Sequence, residues 1–181
     1  MTNDPRAGSH TGLESADRAA IRIALRQTAP DLLAYFERRL AFHEDAADAL
    51  AETMLQAWRR VDRLPEDPTQ ARMWLFTIAH HVLANQHRAN RRRAALTDRL
   101  RSHLADTPLT QPDPAEGQAI RDAIQRLPAA QRELVTLVHW DGFSLAEAAH
   151  ILDLNPSTAR SRYATARRTL REALIAEDAT A

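Results

Sequence analysis

The 181-residue chain has no cysteine, no lysine and only four glycines. Without cysteine, disulfide staples, thiolate metal sites and a cysteine nucleophile are excluded. No apolar run approaches the roughly 20 residues that a membrane span requires. The stretch Met1 to Gly12 is polar and lacks the apolar centre of a signal peptide, which predicts a cytoplasmic chain with no membrane contact. Glycine is scarce, no window alternates for long with period two, and apolar residues recur at helical steps almost throughout. Neither a Gly-rich phosphate loop nor a nucleophile–base pair occurs, so the sequence predicts no enzyme and no cofactor.

The missing lysine means that all 24 basic residues are arginine. A GC-rich coding bias accounts for the preference but not for where the arginines lie. Formal net charge is zero, yet six arginines face one acid, Asp98, between Arg88 and Arg101. Five face one acid, Glu172, between Pro156 and Leu174, while Asp31 to Asp67 holds nine acids and five arginines. Two basic segments and one acidic segment cancel in the sum, so the zero net charge does not argue against a nucleic-acid partner.

The periodicity predicts an all-α fold of two small helical domains joined by a flexible linker. Residues 1–12 are expected to be disordered. The first domain, 13–96, should hold a helix over about 15–27 capped by Ser15. A second, started by Pro30, should run to Ala41 with Leu32, Leu33, Phe36 and Leu40 inward. A third over 44–61 should turn Ala47, Leu50, Met54, Leu55 and Trp58 inward, and a long fourth, capped by Thr69, should reach Arg93. Three prolines (Pro108, Pro112, Pro114) mark the linker, 97–116. The second domain, 117–176, should hold helices over about 115–126, 128–139, 145–152 and 157–176, followed by a tail, 177–181. Trp58 and Trp140 are expected in the cores.

Ser144 to Tyr163 has a helix-turn-helix pattern. Ser144 can cap a short helix, with Glu147 three residues on completing a capping box. Asp153 ends that helix, and the Leu154-Asn155-Pro156 turn starts the next, with Ser157 or Asn155 as cap. Ala159, Tyr163, Ala166, Leu170 and Leu174 recur at steps of three or four and form an inner face. Ser157, Thr158, Ser161, Thr165 and Arg168 lie opposite, flanked by Arg160 and Arg162. Arginine can read guanine in a major groove and short hydroxyls can reach bases or phosphates. A solvated face on an ordinary helical hairpin fits the same pattern.

With its flanks the segment is more specific. Arg126-Leu-Pro-Ala-Ala-Gln-Arg-Glu-Leu134, Asp141-Gly-Phe-Ser-Leu-Ala-Glu-Ala-Ala149 and Ala166-Arg-Arg-Thr-Leu-Arg-Glu-Ala-Leu174 resemble region four of the extracytoplasmic-function (ECF) sigma factors, of the sigma-70 family of RNA polymerase sigma factors. The resemblance implies that this domain reads an upstream (minus-thirty-five) promoter element as duplex, with Arg160, Ser161, Ala164 and Thr165 where members touch it. Asp153 stands where glycine is usual, and Asp tolerates the left-handed backbone. Ala159 replaces a usual Val.

The first half resembles region two of the same family. Asp45 to Trp58 looks like the helix that binds the clamp helices of the large subunit of core RNA polymerase, which implies contacts from Asp48, Glu52, Leu55 and Gln56. Ala49 and Ala51 stand where Leu and Gln are more common. Arg72-Met-Trp-Leu-Phe-Thr-Ile-Ala79 resembles the start of the segment that recognises and melts the downstream (minus-ten) element. This implies a track for single-stranded promoter DNA along Trp74, Thr77, His80, His81, Arg88, Arg91 and Arg92. The connection Val61 to Gln70, which forms a flipped-base pocket in the family, carries Pro65, Pro68, Glu66 and Asp67, so the preferred sequence does not transfer. Many members are held by an anti-sigma factor, which makes one a candidate partner, though no residue pattern singles it out.

The resemblance implies a monomer when free, dependent on core polymerase. A stand-alone operator-binding repressor would use the same C-terminal helix but would need a dimer interface or ligand pocket within residues 13–93. A metal site at His80, His81 and His87 lacks the Glu-x-x-His spacing of helical di-metal centres, since Thr77 and Ile78 stand three before His80 and His81. No metal is therefore expected.

Overall fold

The structure, a computed structural model, describes residues 7–101 and 118–178, with the backbone alone at 7–17, 90–101, 118–119, 121 and 176–178. Among the described residues every regular element is helical, and the chain divides into two units, Met1–Ala94 and Ala95–Ala181.

In the first unit, Ile21, Leu25, Thr28, Leu32, Tyr35 and Phe36 are buried at helical steps. This stripe passes uninterrupted across Pro30, and α1 (Ala7–Glu37) passes with it, so the expected break between two helices does not occur. Proline removes one backbone hydrogen bond. Here Pro30 lies on the exposed side, where water can satisfy the carbonyl left over, and continuous burial on the other side holds the helix together. The helix also begins ahead of Ser15 and takes in residues 7–12, which were expected to be disordered.

A five-residue connection returns the chain antiparallel as α2 (His43–Trp58), which packs on α1. Its buried residues are Ala46, Ala49, Thr53 and Ala57, one position away from the expected stripe of Ala47, Leu50, Met54 and Trp58. One residue is 100° of rotation, enough to exchange an inner for an outer face. Ala47 and Leu55 are exposed, Leu50 and Met54 half-buried, and Trp58 is 41% exposed. Three alanines on the inner stripe let α1 and α2 approach closely, and the hydroxyl of buried Thr53 is satisfied by donating to the Ala49 carbonyl (2.8 Å).

A 3-10 turn (Val61–Arg63) leads to α3 (Pro68–Arg101). The cap is Asp67, not Thr69: its Oδ1 accepts from the Gln70 N–H at 2.8 Å, and Pro68 occupies the first helical position, where its missing N–H costs nothing. Leu75, Phe76, Ile78, Ala79, Val82 and Leu83 are buried. The Tyr35 ring meets Phe36 and Phe76 edge-on, at 5.2 and 5.4 Å between centroids. Arg72 donates to Asp31 through Nε (3.2 Å) and a terminal nitrogen (3.1 Å) while lying over the Phe76 ring. Residues 31 and 35 of α1 thus meet 72 and 76 of α3, so these helices run parallel. Helix α3 continues eight residues beyond Arg93, into what reads as linker; the three linker prolines lie outside the described residues.

The second unit comprises α4 (Gln118–Arg126), α5 (Ala129–His139), α6 (Leu145–Ile151) and α7 (Pro156–Asp178). Leu127, Val135 and Ala166 form a core against which Tyr163 and Leu170 pack. Pro128 caps α5 from outside, with ψ near 140°, where a first-turn position was expected. Trp140 is 47% exposed, not core: α5 ends there, and the chain turns through buried Asp141 and Gly142 at φ +71°.

Candidate nucleic-acid interface

Three local devices fix the helix-turn-helix. Ser144 Oγ accepts from the Glu147 N–H (3.2 Å) and Glu147 Oε2 accepts from the Ser144 N–H (2.7 Å), the reciprocal capping box that starts α6. At the other end of α6, Asp153 adopts φ 51°. The Leu154 N–H donates to the Ala149 carbonyl (2.8 Å) and the Asp153 N–H to the His150 carbonyl (3.1 Å). These two bonds are a Schellman close, normally built on glycine. Helix α7 is capped by Asn155, whose Oδ1 accepts from the Ser157 N–H (2.9 Å) and hydroxyl (2.8 Å), with Pro156 at the first helical position. Of the two expected caps, Asn155 serves, and the Ser157 hydroxyl is tied to it.

These devices set the rotation of α7. Ala159 and Ala166 are fully buried, Tyr163, Leu170 and Leu174 half-buried, as the inner face requires. Ser157, Arg160, Ser161, Ala164 and Arg168 are exposed along one strip, with Thr158, Arg162 and Thr165 half-buried at its margins. Ala164 in mid-strip is small enough to let a helix enter a groove closely. Tyr163 is anchored through its hydroxyl to His139 Nε2 (2.8 Å), the two rings stacked at 6.0 Å. This anchor ties α7 to the end of α5 and was not legible in the sequence, because the residues are 24 positions apart.

In the first unit, α3 carries His81, Asn85 and Arg88 exposed and Trp74, Thr77 and His80 half-buried. The Thr77 hydroxyl donates to the Met73 carbonyl (3.0 Å), and Arg88 donates to Asn85. The His80 and His81 rings lie 5.8 Å apart. Arg91 and Arg92 are on the same helix, their side chains outside the described set. Among the described residues no cluster of three histidines or carboxylates could hold a metal, and no helix is long and apolar enough to cross a membrane.

On α2, Asp48 and Glu52 are exposed and share a face with Leu55 and Ala51, while Gln56 is half-buried. Gln56 donates to Glu52 (2.9 Å) and accepts from Arg60 (3.3 Å), a polar rail along the helix edge. Trp58, expected in the core, stands exposed at the last position of the same helix. The surface therefore couples carboxylates to exposed Leu55 (44%) and Trp58 (41%), apolar anchors of the kind protein interfaces use.

Residues 24–93 match the family model for sigma-70 region 2, and residues 117–170 that for sigma-70 region 4. The ECF RNA polymerase sigma factor EcfG of Rhodopseudomonas palustris is 32% identical over 164 residues, covering 88% of each chain. The chain belongs to the ECF sigma factors of the sigma-70 family. The ECF sigma factor SigL of Mycobacterium tuberculosis is 29% identical over 163 residues, 89% of this chain and 92% of that one. Among solved structures, the sigma factor RpoE in complex with the anti-sigma factor NepR from Bartonella quintana is similar at a TM-score of 0.67 and 28% identity. It covers 84% of this chain and 95% of the other. As a member, this ECF sigma factor directs transcription initiation by RNA polymerase, and a stand-alone operator-binding repressor is not favoured.

Proposed function

We propose that the two units divide the promoter between them. The observation that carries this reading is the exposed strip of α7, where Ser157, Arg160, Ser161, Ala164 and Arg168 stand clear of the core on a helix fixed by its caps. That strip, with Thr158, Arg162 and Thr165 at its edges, reads the upstream element in the major groove. Trp74, Thr77, His80 and His81 receive the downstream strand once its bases leave the stack, and Arg88, Arg91 and Arg92 hold its phosphates. Asp48, Glu52, Leu55, Gln56 and Trp58 bind the clamp helices of core polymerase. Nucleotide chemistry is the polymerase's, so the chain is no enzyme, and it works in the cytoplasm as a monomer until it meets core polymerase. The similar RpoE was solved with an anti-sigma factor bound, and an inhibitor of that kind is the proposed regulator. The domains are taken as 13–96 and 117–176; of the 97–116 linker, 97–101 continue α3, and the proline-bearing segment Asp106–Glu116 is the tether that sets promoter spacing.

The test is a selection over randomised promoters by holoenzyme carrying Arg160→Ala. A bidentate arginine–guanine contact discriminates by about 1–3 kcal/mol, so preference should relax at one or two upstream positions while the downstream consensus stays intact. Preference lost only downstream would reverse the two assignments.

A further inference from the structure

Between residues 18 and 30, α1 contains three arginines and no acid. Ile21, Leu25 and Thr28 are buried, and Arg18, Arg22 and Arg26 follow one another at steps of four on the exposed side. Four residues advance a helix by about 6 Å, so the three guanidinium groups form a regular ladder. Arg22 spends its Nε–H on the Arg18 carbonyl (3.1 Å), which steadies the side chain and leaves its other donors outward. Among the described residues no carboxylate pairs with Arg22 or Arg26. Ile23 is the one large apolar side chain exposed within residues 18–30, and no aromatic residue occurs among them. A protein interface would need more, whereas a same-sign line of evenly spaced charges matches a polyanion.

The ladder's place is also defined. Because α2 runs back antiparallel along α1, its C-terminal end lies beside the first half of α1, and the 3-10 turn that follows it packs on α1. That turn opens the Val61–Gln70 connection into α3. The region 2 match begins at residue 24, so Arg18 and Arg22 precede it.

We infer that Arg22 and Arg26 bind the phosphate backbone of promoter DNA beside the Val61–Gln70 connection, extending the nucleic-acid contact beyond α3. This rests on the initiation reading above. Each guanidinium presents a planar fork matched to phosphate oxygens, and the contact carries affinity rather than sequence preference.

The test uses holoenzyme and the promoter it selects from a randomised pool, offered fully duplex and as a fork with its downstream element single-stranded. Arg22→Ala with Arg26→Ala should lower the slope of log affinity against log salt. The expected drop is about 1.4 for two single-strand contacts and about 1.8 for two duplex contacts, and the two templates separate the cases. Arg22→Lys with Arg26→Lys should restore most of the slope, while core-polymerase affinity and helical circular dichroism stay unchanged in both variants. A slope unmoved on both templates overturns the inference. So does a loss of core-polymerase affinity in its place, which would assign the ladder to an acidic protein surface. A wild-type holoenzyme that yields no promoter-specific product overturns the initiation reading, and the ladder with it.

Discussion

At the scale of single residues, the turn of the helix-turn-helix rests on a backbone conformation that L-residues adopt reluctantly. Asp153 sits at φ 51°, where an ordinary side chain crowds the following carbonyl and aspartate is among the few tolerated. Both Schellman bonds close around it, so the conformation cannot relax without opening the end of α6. Asp153→Gly should relieve the crowding, offset in part by the greater freedom of glycine in the unfolded chain, and stabilise the second unit by up to about 1 kcal/mol. Asp153→Val puts a β-branched residue in the same region and should cost about 1–2 kcal/mol. Native-state hydrogen exchange of the α6 amides measures both: slower in the glycine variant, faster in the valine variant. Equal exchange in the two would mean that φ at this position does not limit the turn. The aspartate's tolerance of this geometry was legible from the sequence, as was the Ser144–Glu147 box, because both depend on residues within one turn of each other.

At the scale of elements, α2 shows why an inner face can be misread. Apolar size suggested Ala47, Leu50, Met54 and Trp58, while the structure buries Ala46, Ala49, Thr53 and Ala57. Helix approach distance decided the matter, and that is a property of the α1–α2 pair rather than of α2 alone. Large side chains excluded from a close crossing go outside, which is where a partner can use them. Trp58→Ala should therefore weaken binding to core polymerase by about 1 kcal/mol or more and leave the melting temperature nearly unchanged. A core tryptophan would instead cost about 3–5 kcal/mol of stability. Charge reversal at Asp48 and Glu52 should likewise abolish co-purification with core polymerase without loss of helical signal. Unfolding in either case would return these residues to a structural role. Similar reasoning explains Pro30: proline within a periodic stretch reads as a boundary, but the buried stripe from Ile21 to Phe36 passes beneath it.

At the scale of the whole molecule, the zero net charge is a sum over segments of opposite sign. The acidic α2 lies between the basic segments of α1 and α3 in the chain, and a third basic segment forms α7. Fold class was legible from helical periodicity and scarce glycine. Which arginines stand exposed was not, because that depends on rotation about each helix axis and on caps such as Asp67 and Asn155 that shift a start by a residue or two. The central claim is that this chain confers promoter-specific initiation on core RNA polymerase. Run-off transcription from a randomised promoter pool, with core polymerase and with or without the chain, tests it most directly. The expected result is a set of transcripts that need both components and share two sequence blocks at fixed spacing. A chain that binds duplex operator as a dimer by itself, and adds no specific transcript to core polymerase, would contradict it.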